Sequence, residues 1–432
     1  MVVRQAANGF LHVGRKYAML DFSQVATQIK SFASDRAREL PQFQTALTEA
    51  SRRLTDSGPT WEATHAKINR SRTSWLLADW LEPPDRAYAP PPRPTPCAVL
   101  AADGSQIVSD RHDITLCVLL NIGLVALRYG TGERAYLASR PTLSFPDEEL
   151  LDEFQGEQGA VLPRRLGVRR LLAELDGLAG LIAQCAPQPD AANAPADLFS
   201  FPEAEMPTLA LSDGSLILWP LETEQEPFRG KALQAFQASL EVARQRRVPI
   251  AGYISQPRSR DVLNALRVFR CPYPHADCDH YCPHRHKLKP EFKPPDCAGT
   301  ERIADADLFA QLLEPGERSA VFGSQSKILK SYDPAHRVRF FYLHTGREVA
   351  RVEIPAWVAE DQELMERTHA LCYDQARKGD GYPVGLVEAH EQATVRGAER
   401  DAFFRLMERE FVGERVPVAL TQKAVSKRAR RI

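Results

Sequence analysis

The sequence has no apolar segment long enough to cross a membrane. Its 432 residues contain no apolar run close to the ~20 residues that a spanning helix needs. The longest candidate, residues 114–127, is too short and includes Asn121. The bases near the N-terminus are not followed by an apolar stretch of signal-peptide length. We therefore expect a cytoplasmic protein with no membrane association.

Cysteine is scarce, and this scarcity excludes a disulfide scaffold. There are eight cysteines in 432 residues. Four of them are scattered in apolar surroundings, where we expect small buried side chains: Cys97, Cys117, Cys185 and Cys372. The other four are concentrated between positions 271 and 297, so this segment needs an explanation of its own.

Net charge is also nearly absent, because 55 Lys and Arg stand against 56 Asp and Glu. A charge of −1 removes the simple argument for a strongly basic nucleic-acid-binding protein. The charge is unevenly distributed, however. Residues 147–157 carry six acids and no base, and the tail from residue 423 to 432 carries five bases and no acid.

The chain divides at a proline-rich linker. Residues 22–55 have helical apolar spacing, with a kink or interruption expected at Pro41. Residues 83–96 are rich in proline and predict an extended, stiff segment. We predict an N-terminal helical arm with linker over residues 1–95 and a second domain over residues 96–432, which contains the cysteine-rich segment and ends in the basic tail.

After the linker the apolar pattern indicates a mixed α/β fold, with a meander of strands followed by alternating strands and helices. The predicted strands are 97–102, 114–120, 124–129, 135–139, 208–212, 248–255, 337–343 and 348–354. The predicted helices are 163–185, 230–245, 259–269, 357–376 and 386–400.

One local pattern occurs twice. Asp103-Gly104-Ser105 and Asp213-Gly214-Ser215 each follow a buried strand, and the glycine allows a sharp turn. If the two strands are neighbours, both carboxylates leave the same edge of a sheet. Two close carboxylates repel unless a proton or a divalent cation lies between them, which is the minimum for two-metal phosphodiester hydrolysis. The alternative is two ordinary turns, since Asp-Gly is a common turn dipeptide.

Two further residues are candidates for this site. Glu174 lies on the helix between the two Asp-Gly-Ser segments, and its alternative role is a surface ion pair with Arg170 four residues earlier. His390 lies early in an apolar helix, where an imidazole binds metal or transfers a proton. Its alternative role is a histidine at a helix start without chemical function.

The order of these motifs resembles the NurA family of DNA-end-processing nucleases over about residues 97–432. It runs from Asp-Gly-Ser to a helical glutamate and a second Asp-Gly-Ser, then to residues 251–255 (Ala-Gly-Tyr-Ile-Ser), an Arg-Val-Glu-Ile-Pro hairpin at 351–355 and Gly-Tyr-Pro to Glu-Ala-His at 381–390. The resemblance implies an RNase H-like mixed sheet flanked by helices. It also implies a Mn²⁺-dependent (or Mg²⁺-dependent) nuclease with 5′–3′ exonuclease and single-strand endonuclease activity.

The resemblance further implies a homodimer that works with a HerA-like hexameric ATPase. By the matching motifs, Asp103, Glu174, Asp213 and His390 are the expected metal-site residues. Tyr253 is expected to have an auxiliary catalytic role, and its alternative is a buried tyrosine in a central strand.

The cysteine-rich insertion at about 271–297 is a candidate for a second metal site. Its four cysteines are Cys271, Cys278, Cys282 and Cys297, and their spacing is Cys-x6-Cys-x3-Cys-x14-Cys. Four histidines lie between the first and the last of them. Four thiolates hold zinc or an iron–sulfur cluster, and the interspersed histidines favour zinc. The tight Cys-x2-Cys pairs of common zinc ribbons are missing, so a surface loop with unligated thiols is the alternative.

Four arginines on and around one predicted helix are candidates for DNA phosphate contacts: Arg258, Arg260, Arg267 and Arg270. The basic C-terminal tail is a second candidate, for DNA or for the ATPase. A solvated helix face and a disordered end are the respective alternatives.

The sequence therefore predicts a metal-dependent DNA nuclease that acts in DNA end resection and double-strand break repair. Two alternatives stay open. One is a catalytically degenerate adaptor that binds DNA or an ATPase, and the other is an RNase H-like enzyme that cleaves RNA.

Overall fold

The fold is organised around one mixed sheet. A computed structural model describes residues 22–109, 117–144, 161–185, 206–280, 282 and 297–415. Within these residues the sheet has eleven strands. They are β1 (Ala78–Trp80), β2 (Ala87–Tyr88), β3 (Cys97–Val108), β4 (Val118–Tyr129), β5 (Tyr136–Ser144), β6 (Thr208–Asp213), β7 (Ile250–Ile254), β8 (Arg318–Ser319), β9 (Phe322–Ser324), β10 (Val338–His344) and β11 (Val349–Pro355).

Helices cover the sheet. In chain order they are α1 (Phe22–Ser57), α2 (Trp61–Arg70), α3 (Val161–Cys185), α4 (Phe228–Gln245), α5 (Asp261–Phe269), α6 (Asp305–Leu312), α7 (Ala356–Ala359), α8 (Gln362–Lys378), α9 (Val384–Ala393) and α10 (Gly397–Gly413). None of these described helices has the length and apolar character needed to cross a membrane. The acidic stretch at 147–157 and the basic tail at 423–432 lie outside the described residues.

The strand order is β1-β9-β10-β11-β7-β6-β3-β4-β5, and β8 pairs with β10 and β2 beside this path. β3, β6 and β7 are mutually parallel neighbours at the centre of the sheet, whereas the other pairs are antiparallel. The predicted mixed α/β layout, with the meander β3-β4-β5 first, is therefore confirmed.

The central strands are apolar on both faces because helices cover both. Leu100 and Ala102 of β3 pack with α3 and α4, while the alternate residues Val99 and Ala101 pack with α8 and α9. A strand buried on both sides appears in sequence as a continuous apolar run, which explains why residues 97–102 show no alternation.

A third apolar cluster joins the N-terminal helices to the rest of the protein. Ala50 and Leu54 of α1, Ile68 of α2 and Trp80 of β1 pack with α5 and with β9 and β10. The predicted helix at 22–55 is confirmed, but it does not end at Pro41. Pro41 lies in the exposed part of α1, where water can satisfy the carbonyl that loses its donor.

Some predicted boundaries are wrong for identifiable reasons. The two strands expected at 114–120 and 124–129 are one strand, β4, whose apolar pattern is interrupted where it contacts α9. Asn121 donates a 2.9 Å hydrogen bond to the carbonyl oxygen of Ala393, and a Cβ at Gly123 would lie 2.2 Å from the carbonyl oxygen of Ala389. The pattern breaks because these two positions serve helix packing.

The two C-terminal helices also differ from their predicted bounds. The helix expected at 357–376 is divided into α7 and α8, and the side chain of Asp361 accepts a hydrogen bond from the amide of Leu364 at the start of α8. The helix expected at 386–400 ends at Ala393, and α10 begins at Gly397.

Candidate active site

Two parallel central strands place Asp103 and Asp213 side by side, at the point where the pairing of the two strands ends. β3 and β6 are neighbours with Ala102 opposite Ser212, so the next residues, Asp103 and Asp213, emerge side by side. The predicted adjacency of these strands is confirmed. The turn predicted after Asp103 is wrong, because β3 continues through Asp103-Gly104-Ser105 to Val108 and stays paired with β4. After Asp213 the chain turns through Gly214, whose φ of +99° is a conformation that residues with side chains rarely adopt.

Glu174 of α3 completes a set of three carboxyl groups. Glu174 is 6% exposed. A Cβ at position 104 would lie 2.5 Å from Glu174 Oε1, so Gly104 is what allows the Glu174 carboxyl group to approach β3. Arg170 Nε lies 3.2 Å from the same oxygen. Burial, reinforced by the charges of Asp103 and Asp213 and opposed by Arg170, raises the pKa of Glu174 to about 8.

The other two carboxyl groups have polar partners from the segment around α9. His390 Nδ1 lies 2.8 Å from Asp103 Oδ2, and the imidazole is 67% exposed. The hydroxyl of Tyr382 donates a 2.8 Å hydrogen bond to Asp213 Oδ1. Asp213 reaches solvent, yet the desolvation imposed by the surrounding protein raises the pKa of its carboxyl group. The structure thus brings Asp103, Glu174, Asp213 and His390 close to one another.

Tyr382 is a site residue that the sequence analysis missed. Its only signal was its place in the Gly-Tyr-Pro segment, eight positions before His390. Tyr253, which was expected to have an auxiliary role, lies behind it and is fully buried. The Tyr253 hydroxyl donates to the carbonyl oxygen of Gly381 at 3.2 Å, and the two rings meet edge to face with centroids 5.4 Å apart. Tyr253 therefore supports Tyr382 within the described contacts.

The donor set of this site suits a hard divalent cation. Within the described part of the chain, no three His, Cys, Asp or Glu side chains are already gathered into a group that holds a metal ion. The three carboxyl groups instead have separate protein partners. Carboxylate oxygens are the ligands that Mn²⁺ and Mg²⁺ prefer, and a buried carboxyl such as Glu174 is one whose charge a cation stabilises. The residues present therefore fit such an ion chemically.

The four arginines predicted to contact DNA do not form one exposed face. Arg258 is exposed. Arg260 donates a 2.6 Å hydrogen bond to the carbonyl oxygen of Thr300, and the guanidinium of Arg267 lies 4.4 Å from the ring centroid of Trp75. Arg270 is half-buried at the end of α5. Of these four arginines, Arg258 is exposed and the other three are half-buried.

The cysteine-rich loop is held against the N-terminal helices. Cys271, Cys278 and Cys282 line one surface pocket, and residues 283–296 lie outside the described part. Burial raises the pKa of Cys278 to about 12, and the other three cysteines, Cys297 included, raise it further. The amide of Cys278 donates a 3.0 Å hydrogen bond to the carbonyl oxygen of Arg72, just after α2.

Comparison with known proteins agrees with the geometry. The NurA domain family model matches residues 97–395. Among solved structures, the crystal structure of the NurA nuclease from Sulfolobus solfataricus is similar, with a TM-score of 0.50 and 12% identity over 92% of this chain and 98% of that chain. At this identity the likeness shows the fold alone. No curated protein sequence matches the chain. Since the family match covers most of the chain, the protein belongs to the NurA family and is a nuclease by that membership.

Proposed function

We propose that this protein is a divalent-metal-dependent deoxyribonuclease that hydrolyses phosphodiester bonds at the point where the pairing of β3 and β6 ends. The observation that carries the proposal is the meeting of Asp103, Glu174 and Asp213, from three separate elements, beside His390. Family membership supports the same chemistry.

In this proposal Asp103, Glu174 and Asp213 hold Mn²⁺ or Mg²⁺. When bound, the metal supplies activation of water and stabilisation of the departing oxygen. Without a cation, Glu174 is mostly protonated at neutral pH, since its pKa is raised to about 8. To serve as a ligand it would have to release this proton, so metal binding by Glu174 is coupled to proton loss. His390 keeps Nδ1 on Asp103 and protonates the leaving 3′ oxygen through Nε2. Tyr382 orients Asp213 through its hydroxyl.

The finer activity is part of the same proposal. We infer 5′–3′ exonuclease and single-strand endonuclease activity in DNA end resection and double-strand break repair, as a homodimer with a HerA-like hexameric ATPase. These assignments rest on the family resemblance of the motifs. Cleavage of matched DNA and RNA strands distinguishes the deoxyribonuclease from an enzyme that acts on RNA.

The test is a cleavage assay with single-stranded and end-bearing DNA, with Mn²⁺ or with EDTA. Wild type cleaves only with Mn²⁺, whereas Asp103→Asn and Asp213→Asn lose cleavage and stay folded. Asp176→Asn is the matched control, because Asp176 is an exposed carboxylate on the same helix as Glu174. If wild type never cleaves DNA, alone or with its ATPase, the degenerate-adaptor alternative replaces the enzyme.

A second metal, at the cysteine-rich loop, is a separate proposal. Zinc is favoured over an iron–sulfur cluster because histidines accompany the cysteines. The electrostatic interaction of Cys278 with Cys271, Cys282 and Cys297 supports a common site. Metal analysis of the purified protein tests it: one zinc per chain, lost in Cys278→Ser and kept in Cys372→Ser, is the expected result. A chain that purifies without zinc or iron contradicts it.

A further inference from the structure

A buried charged network lies beneath the second Asp-Gly-Ser segment. Glu353 of β11 is 1% exposed and Arg351 is 3% exposed. Arg351 Nε donates a 2.9 Å hydrogen bond to Glu353 Oε1, and Arg351 Nη1 donates a 2.8 Å hydrogen bond to Asp261 Oδ2 at the start of α5. Burying such charges has a large desolvation cost, so a buried ion pair is weak evidence for stability by itself.

The other oxygen of Glu353 binds the turn that carries Asp213. Glu353 Oε2 accepts a 2.7 Å hydrogen bond from the Ser215 hydroxyl and a 2.9 Å hydrogen bond from the amide of Leu216. These donors are two and three residues after Asp213. The carboxylate is therefore fully engaged, with one oxygen on Arg351 and the other on the turn.

Gly252 makes this contact possible. In the sheet Gly252 of β7 is opposite both Ser212 of β6 and Glu353 of β11. A Cβ at Gly252 would lie 2.6 Å from the carbonyl oxygen of Gly214 and 3.3 Å from the amide nitrogen of Leu216. The turn thus lies directly on the backbone of β7, within reach of Glu353 from the next strand.

We propose that Glu353 is a positioning residue that fixes the turn at residues 213–216 and thereby holds Asp213 in place for metal binding. The inference deepens the proposed function and rests on it. Asp213 is constrained from both sides: the Tyr382 hydroxyl binds its carboxylate, and Glu353 binds the residues that follow it. The Arg-Val-Glu-Ile-Pro segment thereby positions Asp213, although it contributes none of the three carboxyl groups of the site.

The test is Ser215→Ala, which removes one hydrogen bond to Glu353 and leaves the buried charges paired. The substitution also removes the acceptor of the Ile217 amide and of the Trp219 indole, which belong to the same turn region. Mn²⁺ titration followed by the electron paramagnetic resonance of free Mn²⁺ measures affinity directly. We expect the affinity of Ser215→Ala to fall about tenfold, the factor for losing a hydrogen bond to a charged group. Ser215→Thr keeps the hydroxyl and restores wild-type affinity. Hydrogen exchange of the Leu216 amide becomes faster in Ser215→Ala.

The chain offers a second serine–glutamate hydrogen bond as a control, in which the serine is buried and the glutamate, Glu222, is exposed. The hydroxyl of Ser326 donates a 2.7 Å hydrogen bond to Glu222 Oε1, and Ser326 is 2% exposed. Ser326→Ala removes this second hydrogen bond, and we expect its Mn²⁺ affinity to equal that of wild type.

Equal Mn²⁺ affinity for Ser215→Ala and wild type, with equal exchange at Leu216, overturns the inference. Wild type that binds no Mn²⁺ overturns the proposed function and the metal-positioning role together. In that case the exchange measurement still shows separately whether the Ser215–Glu353 contact orders the turn.

Discussion

Glu174 is the residue at which burial and function conflict most clearly. In the unfolded chain its carboxyl group ionises near the ordinary pKa of 4.5, whereas in the folded protein the pKa is raised to about 8. A raised carboxyl pKa means that the folded state retains a proton that the unfolded state has lost. The stability of the metal-free protein therefore decreases as pH rises from about 4.5 to about 8.

Glu174→Gln removes this ionisation and keeps the side-chain shape. Without metal, we expect the variant to be more stable than wild type at pH 8.5 by on the order of 3–5 kcal/mol, and equally stable at pH 4. Thermal midpoints in EDTA at the two pH values measure the difference. Mn²⁺ raises the midpoint of wild type more than that of the variant. Identical pH dependence in the two proteins contradicts the assigned environment of Glu174.

Tyr382 offers a second prediction at the scale of one residue. Tyr382→Phe removes the hydroxyl that binds Asp213 and keeps the ring against Tyr253. We expect cleavage to slow by about tenfold or more, with a change in stability within about 1 kcal/mol. Tyr129→Phe is the control, because that hydroxyl accepts a hydrogen bond from Gln375 instead. Unchanged cleavage by Tyr382→Phe means that the hydroxyl does not orient Asp213.

Among the elements, β7 separates the site from the buried network. It contributes Gly252, which lets the turn after β6 approach, and Tyr253, which packs behind Tyr382. We therefore expect β7 to tolerate no added side-chain volume at Gly252.

Gly252→Ala should displace the turn, since its Cβ would meet the backbone oxygen of Gly214 at 2.6 Å. We expect a loss of about 1–3 kcal/mol in stability and a larger proportional loss of cleavage. Gly180→Ala in α3 is the control, because a Cβ there has nothing within 4 Å and alanine suits a helix better. Full activity in Gly252→Ala contradicts the close approach.

At the scale of the whole molecule, α1 has two different halves. Residues 22–45 include no buried residue, whereas Ala46, Ala50 and Leu54 belong to the core shared with α5. The outer half exposes Phe22 and Ile29 and stays a candidate for partner docking or dimerisation.

Truncation separates the two halves of α1. A chain that begins at residue 43 should keep the thermal midpoint of a chain that begins at residue 22, because Phe43 is the first residue of α1 that packs against the core shared with α5. A chain that begins at residue 61 lacks the buried side chains of α1. Loss of Leu54 alone should lower the free energy of unfolding by about 1.5–3 kcal/mol. Thermal unfolding of the two truncated chains measures the difference in their midpoints. Equal midpoints contradict the packing of the second half of α1 against the core.

The sequence predicted features that depend on neighbouring residues. The buried strand before Asp103 and the similar strand before Asp213 are local patterns, and so is the helix that carries Glu174. The contact between Tyr382 and Asp213 joins residues 169 positions apart, and the Ser215–Glu353 contact spans 138 positions, so no local pattern indicates them. The two-residue strands β2 and β8 are too short to show a period and form through tertiary pairing.

The central claim is that carboxylates on neighbouring strands hold a divalent metal for DNA cleavage. The most direct measurement is the cleavage rate of one single-stranded DNA by wild type and by Asp213→Asn, side by side, with Mn²⁺ and with EDTA. We expect cleavage by wild type with Mn²⁺ only, and a rate for the variant at least about 100-fold lower at unchanged thermal stability. Equal Mn²⁺-dependent rates for the two proteins would contradict it.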